Sequence, residues 1–139
     1  MKTAADTSVL VASFASWHEH HELAFAAMGR IDAVLAHCLL ETYSVLTRLP
    51  APHRMTPGVV ASFLDRSFRG RAAFALPAAE QQRLVATCAA RGLAGGAVTD
   101  ALIAATCAHA GLKLLTLDSR ALPAYAMLGV DHELLTSSA

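Results

Sequence analysis

Four acidic side chains, Asp6, Glu41, Asp100 and Asp118, are the residues of this 139-residue chain best suited to do chemistry together. Carboxylates gathered in one place repel one another unless cations neutralise them. An all-oxygen set suits a hard divalent cation, Mg²⁺ or Mn²⁺, that keeps some of its waters. One or two such ions polarise a phosphodiester, lower the pKa of bound water and stabilise the leaving oxygen. Phosphodiester hydrolysis is therefore the reaction these acids suggest, provided the fold brings them together. Each acid alone has an ordinary structural use. Asp6 and Asp118 could cap helices, and Asp100 could offset a helix dipole. Only their joint placement points to a site.

That placement depends on the elements around them. Lys2–Ala5 reads as a strand running into Asp6. Ser8–Ala15 and His18–Met28 read as helices, with Gly29 as a stop. Asp32–Ala36 reads as a second strand, followed by a helix from Leu39 to Leu49 that Pro50 and Pro52 end. Thr56-Pro57 pairs an N-cap with proline at the first helical position, which opens a helix over Pro57–Phe68. Arg71–Leu76 is a short strand, and a helix from Pro77 or Ala78 reaches Arg91. Gly92, Gly95 and Gly96 form a connection, and Val98–Ala110 is a helix stopped by Gly111. Lys113–Leu117 is the clearest strand, because its nearly continuous apolar run suits burial on both faces. Ala121–Leu128 is helical, and Glu133–Leu135 is a last short strand before the tail Thr136–Ala139.

Strands alternating with helices imply an α/β fold with a parallel sheet covered on both faces. In such folds ligands bind outside the carboxyl ends of the strands. Asp6 follows the first strand, and Asp118 follows the most buried one. Glu41 falls in the first turn of the helix after the second strand, and Asp100 in the first turns of the Val98–Ala110 helix. All four belong to the carboxyl edge if the first and fourth strands are neighbours.

Composition bounds the rest. With 55% hydrophobic and 16% charged residues, the chain suits one compact domain over residues 1–139. So few charges also imply an exposed apolar face that a partner or a second copy covers. The formal charge is zero, with 11 basic and 11 acidic residues, so any nucleic-acid contact depends on distribution. Cys38, Cys88 and Cys107 are an odd number without a C-x-x-C pair, which excludes a disulfide framework and a thiolate zinc site. They read as reduced, packed side chains. Asp6 follows Met1-Lys2 too soon for a signal peptide, and no apolar run is long enough to cross a bilayer. The expectation is a cytoplasmic protein without membrane contact.

At the acids the sequence resembles a known family. Asp6-Thr7-Ser8-Val9-Leu10-Val11 opens the chain as PIN domains open. Glu41 within Leu40-Glu41-Thr42-Tyr43-Ser44-Val45-Leu46-Thr47-Arg48-Leu49 is similar to the family's second acidic motif. Thr99-Asp100-Ala101-Leu102-Ile103-Ala104-Ala105 resembles the third, and Leu115-Thr116-Leu117-Asp118-Ser119-Arg120 the fourth. The match runs in the family's order over nearly the whole chain, and it is most specific for the VapC toxins of type II toxin–antitoxin systems. The resemblance implies a three-layer α/β/α sandwich with a central five-stranded parallel sheet. It implies a Mg²⁺- or Mn²⁺-dependent endoribonuclease acting on RNA, a homodimer, and a VapB-type antitoxin that masks the site. On it, Asp6, Asp100 and Asp118 bind metal directly or through water, and Glu41 completes the acidic pocket and orients the attacking water. Ser8 hydrogen-bonds within the site, and Thr116 supports the strand end that carries Asp118. Some relatives carry an acid or Asn three residues after the fourth acid. Here that position is Ala121, which removes a ligand from a second metal site.

Two further stretches have more than one reading. His18-Glu19-His20-His21-Glu22 lacks the H-E-x-x-H spacing, since Glu22 stands four residues after His18. It reads first as a solvated helix start, and second as a neighbour of the site in which His18 or His21 contacts substrate phosphate. Arg48, His53, Arg54, Arg66, Arg69 and Arg71, with Asp65 the one acid among them, form the basic-biased stretch. It is either an RNA phosphate track, with Arg48 and Arg54 as contacts, or a solvated face or antitoxin contact. Phe14, Trp17 and Phe63 read as core or interface residues rather than base-stacking platforms.

Other functions compete. A haloacid-type phosphatase needs a second Asp two residues after the nucleophile, and Ser8 stands there. A receiver domain needs paired acids near the first strand and a Lys after a late one, whereas Lys113 precedes its strand. A PIN fold kept only for binding would not need all four acids.

Overall fold

The computed structural model describes residues 1–137; Ser138 and Ala139, the end of the tail, lie outside the described residues. Five short strands alternate with seven helices. The strands are β1 (Thr3–Ala5), β2 (Ala33–Leu35), β3 (Ala72–Phe74), β4 (Lys113–Thr116) and β5 (His132–Leu134). The helices are α1 (Thr7–Phe14), α2 (His21–Ala27), α3 (Ala36–Arg48), α4 (Pro57–Phe68), α5 (Ala78–Arg91), α6 (Gly96–Ala110) and α7 (Leu122–Met127).

All ladders are parallel, as the alternation requires. β4 lies between β1 and β5, with Ala5 opposite Leu115 and Thr116 opposite Leu134. β2 pairs with β3, Leu35 opposite Phe74. The hydrogen bonding thus divides into a three-stranded and a two-stranded sheet, where the resemblance implied one sheet of five. The two meet where Asp32 N–H donates to Thr3 O (3.0 Å). Thr3 N–H then donates to the Asp32 carboxylate (3.3 Å) instead of a backbone carbonyl. A side chain that takes a ladder donor competes with the ladder itself. In strands of three residues, one diverted bond is enough to interrupt pairing.

The apolar run of β4 is buried as its composition demands: Leu114 and Leu115 are fully enclosed, with Ala4 and Ala5 beside them. Val9 and Leu10 from α1, Val34 and Leu35 from β2, and Ile103 and Cys107 from α6 complete this core. A smaller cluster of Leu76, Leu84, Cys88 and Ala101 joins α5 to α6. Phe14 and Phe63 pack ring to ring at 4.3 Å, docking the end of α1 on α4.

Several boundaries differ from the sequence reading. α3 begins at Ala36 rather than Leu39, so Glu41 lies in its second turn, not its first. The apolar run Val34-Leu35-Ala36 carries no signal that separates strand from helix. α2 is only His21–Ala27, because the His run is held in turns. His18 N–H donates to Ala15 O (2.9 Å), and His21 N–H to His18 O (3.0 Å). The His20 N–H goes to His18 Nδ1 (3.0 Å), which keeps it out of a helix. Pro57 opens α4 as expected, but Thr56 makes no side-chain cap bond. β1 leads directly into α1, β2 into α3, and β4 into a 3₁₀ turn (Ser119–Ala121) and α7. The residues just past three strand ends are therefore set side by side at one edge.

Candidate active site

The four acids converge there. Asp6, Glu41, Asp100 and Asp118 line one cavity of about 180 Å³, together with Ser8 and Tyr125. Glu41, Asp100 and Asp118 also line a wider adjoining recess, which Arg120 borders.

Asp6 is placed by the β1–β4 ladder, which its own N–H extends by donating to Leu115 O (3.0 Å). One carboxylate oxygen caps α1, accepting the N–H groups of Ser8 (3.1 Å) and Val9 (3.4 Å) and the Ser8 hydroxyl. The other oxygen accepts the Tyr125 hydroxyl at 2.7 Å. So the capping use and the cavity use coincide in one side chain. Burial pushes the Asp6 pKa above the usual carboxylate range, against the pull of its bonds to Ser8, Thr116, Tyr125 and Val9.

Two hydroxyls tie the first and fourth motifs together. Ser8 Oγ accepts the Leu117 N–H (2.9 Å) and lies 3.4 Å from Thr116 Oγ1. Thr116 Oγ1 in turn accepts the Asp118 N–H (2.9 Å). Asp118 accepts both the N–H (3.0 Å) and the Nε–H (3.2 Å) of Arg120, so it caps the 3₁₀ turn while facing the cavity.

Asp100 is half-buried in the second turn of α6. Its pKa is raised by burial first, then by the charges of Asp118, Asp6 and Glu41, with Arg120 opposing. Asp100 thus faces like charge from three other carboxylates, with Arg120 opposing it. Hard oxygen donors in that condition fit a divalent cation. Among the described residues, no three His, Cys, Asp or Glu side chains stand close enough together to hold a metal ion between them. An ion that keeps bound waters needs no closed cage.

Sequence reading missed two neighbours. Tyr125 is buried at 1% exposure, and its hydroxyl is the donor to Asp6. The available signal was a tyrosine in an otherwise apolar helix, since a buried phenol requires a partner. His37, one turn before Glu41, sets its Nε2 3.5 Å from that carboxylate, a pair visible as i,i+4 spacing.

The other candidates lie elsewhere. His21 Nδ1 bonds to Ala12 O (2.8 Å), fastening α2 to α1. His18 holds the turn before α2, Arg48 bonds Ser44 Oγ (3.4 Å), and Arg54 Nε–H bonds Leu49 O (2.9 Å). None of these four lines the acid cavity. Within the basic stretch, Arg69 pairs with Asp65 on α4, and Arg71 donates to Ile31 O. Trp17 is not core, with 45% of its surface exposed. Cys38, Cys88 and Cys107 are free and buried, and burial pushes the Cys107 thiol up to about 12. No described helix is long and apolar enough to cross a membrane.

Comparison with known proteins gives the family and the fold. The family model "PIN domain" matches residues 4–126. Ribonuclease VapC40 of Mycobacterium tuberculosis is 47% identical over 133 residues, covering 96% of this chain and 98% of its own. Ribonuclease VapC27 of the same species is 38% identical, covering 91% and 92%. The fold is similar to a chain in the crystal structure of DNA-bound VapBC from Salmonella typhimurium (TM-score 0.65, 21% identity, 96% and 97% covered). It is also similar to PAE2754 from Pyrobaculum aerophilum (TM-score 0.62, 20% identity, 95% and 90% covered). The match of the family model over residues 4–126 and the 47% identity to a VapC ribonuclease over nearly the whole chain place this chain in the PIN-domain family, on its VapC branch.

Proposed function

We propose that the chain is a metal-dependent endoribonuclease, the toxin of a VapBC-type pair. The observation that carries this reading is the convergence of Asp6, Glu41, Asp100 and Asp118, from four separate segments, on one cavity. The two curated relatives, both ribonucleases by name, supply the substrate class. The phosphatase and receiver alternatives fall with the family assignment.

Asp6, Asp100 and Asp118 are the residues that would hold Mg²⁺ or Mn²⁺. Such an ion supplies charge neutralisation at the phosphodiester and acidifies a bound water. Glu41 orients the attacking water and accepts a hydrogen bond from it. Ser8 and Thr116 fix the two strand ends, so the carboxylates keep their spacing during turnover. Water attacks phosphorus, the P–O3′ bond breaks, and the products are a 5′-phosphate and a 3′-hydroxyl. General acid–base cleavage through the 2′-OH would instead leave a 5′-hydroxyl and requires groups that titrate near neutrality. The His18–His21 run lies outside the cavity, which favours the carboxylate route.

On the same reading the two hydrogen-bonded sheets are halves of one five-stranded sheet in an α/β/α sandwich, joined where Asp32 meets Thr3. The chain works in the cytoplasm as a homodimer, and a VapB-type antitoxin covers its site. The exposed side chains Leu40 (74%) and Val59 (50%), on α3 and α4, supply apolar surface for such contacts. Cleavage of total RNA with Mg²⁺, with Mn²⁺ and with EDTA, followed by end-group analysis, tests the proposal. We expect 5′-phosphate ends that disappear with EDTA. A 5′-hydroxyl product that persists in EDTA overturns the mechanism, and no cleavage under any condition overturns the activity.

A further inference from the structure

Trp17 stands apart from every use described so far. It is the one tryptophan of the chain, and nearly half of its surface is open. Its ring stacks on His53, with centroids 4.1 Å apart and planes 29° from parallel. His18 follows at 6.0 Å from Trp17, and His20 at 5.8 Å from His18. Four rings thus form a strip built from two loops that are distant in sequence.

Both loops are held in place. The turn after α1 is fixed by the Ala15 and His18 backbone bonds and by His21 reaching back to Ala12 O. The loop after α3 is fixed by His53 N–H on Pro50 O (3.0 Å) and Met55 N–H on Leu46 O (3.0 Å). Arg54 adjoins His53 in that loop, its guanidinium anchored by Leu49 O, and Arg48 ends α3 just before it. Glu19 is the acid of the strip, and it is paired with His20 at 3.5 Å. Burial and the neighbouring His20 lower the His18 pKa from its ordinary value. Its Nδ1 accepts the His20 N–H, so the ring proton sits on Nε2.

The strip also has a fixed relation to the acids. α1 starts at Asp6 and ends before Trp17, and α3 carries Glu41 near its start and ends at Arg48. The two helices pack on each other. At ~1.5 Å of rise per residue, Trp17 lies on the order of 15 Å along the helices from Asp6. A few nucleotides of single strand span that distance. Open aromatic rings beside arginines are how proteins hold unpaired bases, by stacking without strong sequence preference.

We propose that Trp17 and His53, with Arg48 and Arg54, form a base-stacking platform for single-stranded RNA, away from the acid cavity. The platform rests on the ribonuclease reading above and deepens it, because it makes unpaired RNA the substrate form. It holds the strand; the acids cut it.

The sole tryptophan makes the test direct. The full-length Asp6→Asn chain is titrated with a single-stranded oligoribonucleotide, with its abasic counterpart, and with a duplex of the same sequence, while Trp17 fluorescence is followed. Saturable quenching by the single strand, with little from the abasic strand or duplex, is expected. Read by the anisotropy of a fluorescently labelled oligoribonucleotide, Trp17→Ala should weaken single-strand binding by about fivefold to a hundredfold, the range for one stacked base, and Trp17→Phe should restore most of it. His53→Ala should shift the baseline emission of Trp17, on which it stacks, and should weaken binding in the same titration. Binding that leaves Trp17 emission unchanged, or a Trp17→Ala chain that binds like its parent, overturns the platform. So does emission that responds to a protein partner but not to RNA. If the parent chain cleaves RNA while Trp17 stays silent, only the platform fails. If the parent cleaves no RNA, the reading beneath it fails as well.

Discussion

Asp6 shows how one side chain serves fold and chemistry together, and how the two uses can be separated. Asparagine caps a helix about as well as aspartate, so Asp6→Asn should leave the fold intact. It should nevertheless abolish cleavage, checked by RNA gel assay beside a circular-dichroism melt; full activity would remove Asp6 from the mechanism. Tyr125→Phe asks the complementary question. It takes away the donor to a buried carboxylate oxygen, which costs about 1–3 kcal/mol, measurable by urea unfolding. Asp100 gives a pH signature. Its folded pKa is raised above its unfolded one, so the charged form disfavours the fold and the penalty fades as pH falls. The metal-free Asp100→Asn chain should therefore melt above its parent at pH 7, and the gap should narrow toward mildly acidic pH. A gap independent of pH would contradict the cluster. The acids were legible in the sequence because each follows a strand or stands within two turns of a helix start. Tyr125 was not, because its partner lies 119 residues away and nothing local marks the pair.

Among the elements, punctuation by glycine and proline was the readable part. α4 starts at Pro57, and α5 and α6 end at Gly92 and Gly111, as the sequence suggested. Gly111 closes α6 at φ 69°, with Leu112 N–H returning to Cys107 O at 2.9 Å. Space is open around a Cβ there, so Gly111→Ala should cost only its backbone strain, roughly 1 kcal/mol. Gly96 begins the same helix without a positive φ and with equal room. Gly96→Ala should stabilise by about 0.4–1 kcal/mol, chiefly by restricting the unfolded chain. Opposite signs for two Gly→Ala changes at the two ends of one helix, measured by thermal melts, would confirm the cap geometry. The starts of α2 and α3 were illegible for different reasons. At α3 an apolar run passes from strand to helix without a change of pattern. At α2 a histidine side chain takes the backbone donor that helix formation would have used.

At the scale of the whole molecule, α/β alternation was plain, but sheet continuity was not. It turns on whether Thr3 gives its N–H to a strand or to Asp32, and no periodicity records that choice. The low charge did announce exposed apolar surface, now located in part at Leu40 and Tyr43, which line a groove of about 400 Å³ between α3 and α4. Leu40→Glu should reduce concentration-dependent association in analytical ultracentrifugation; unchanged association would move the contact off this face. Added Mn²⁺ should raise the melting temperature of the parent by mass action, and Asp118→Asn should blunt that gain.

The ladder between β1 and β4 joins residues 3–5 to residues 113–115, and Asp6 depends on it for its position. During synthesis the ribosome releases Asp6 and Glu41 long before Leu115, Thr116 or Tyr125 exist. Until then β1 has no β4 beside it, Ser8 has no Leu117 amide, and Asp6 has no phenol. Pairing across so long a stretch of chain forms late, because the loop between its two strands must close first. The acid cavity takes Asp118 and Tyr125 from the last part of the chain, so a nascent chain stalled before Lys113 holds no complete cavity and should not cleave RNA.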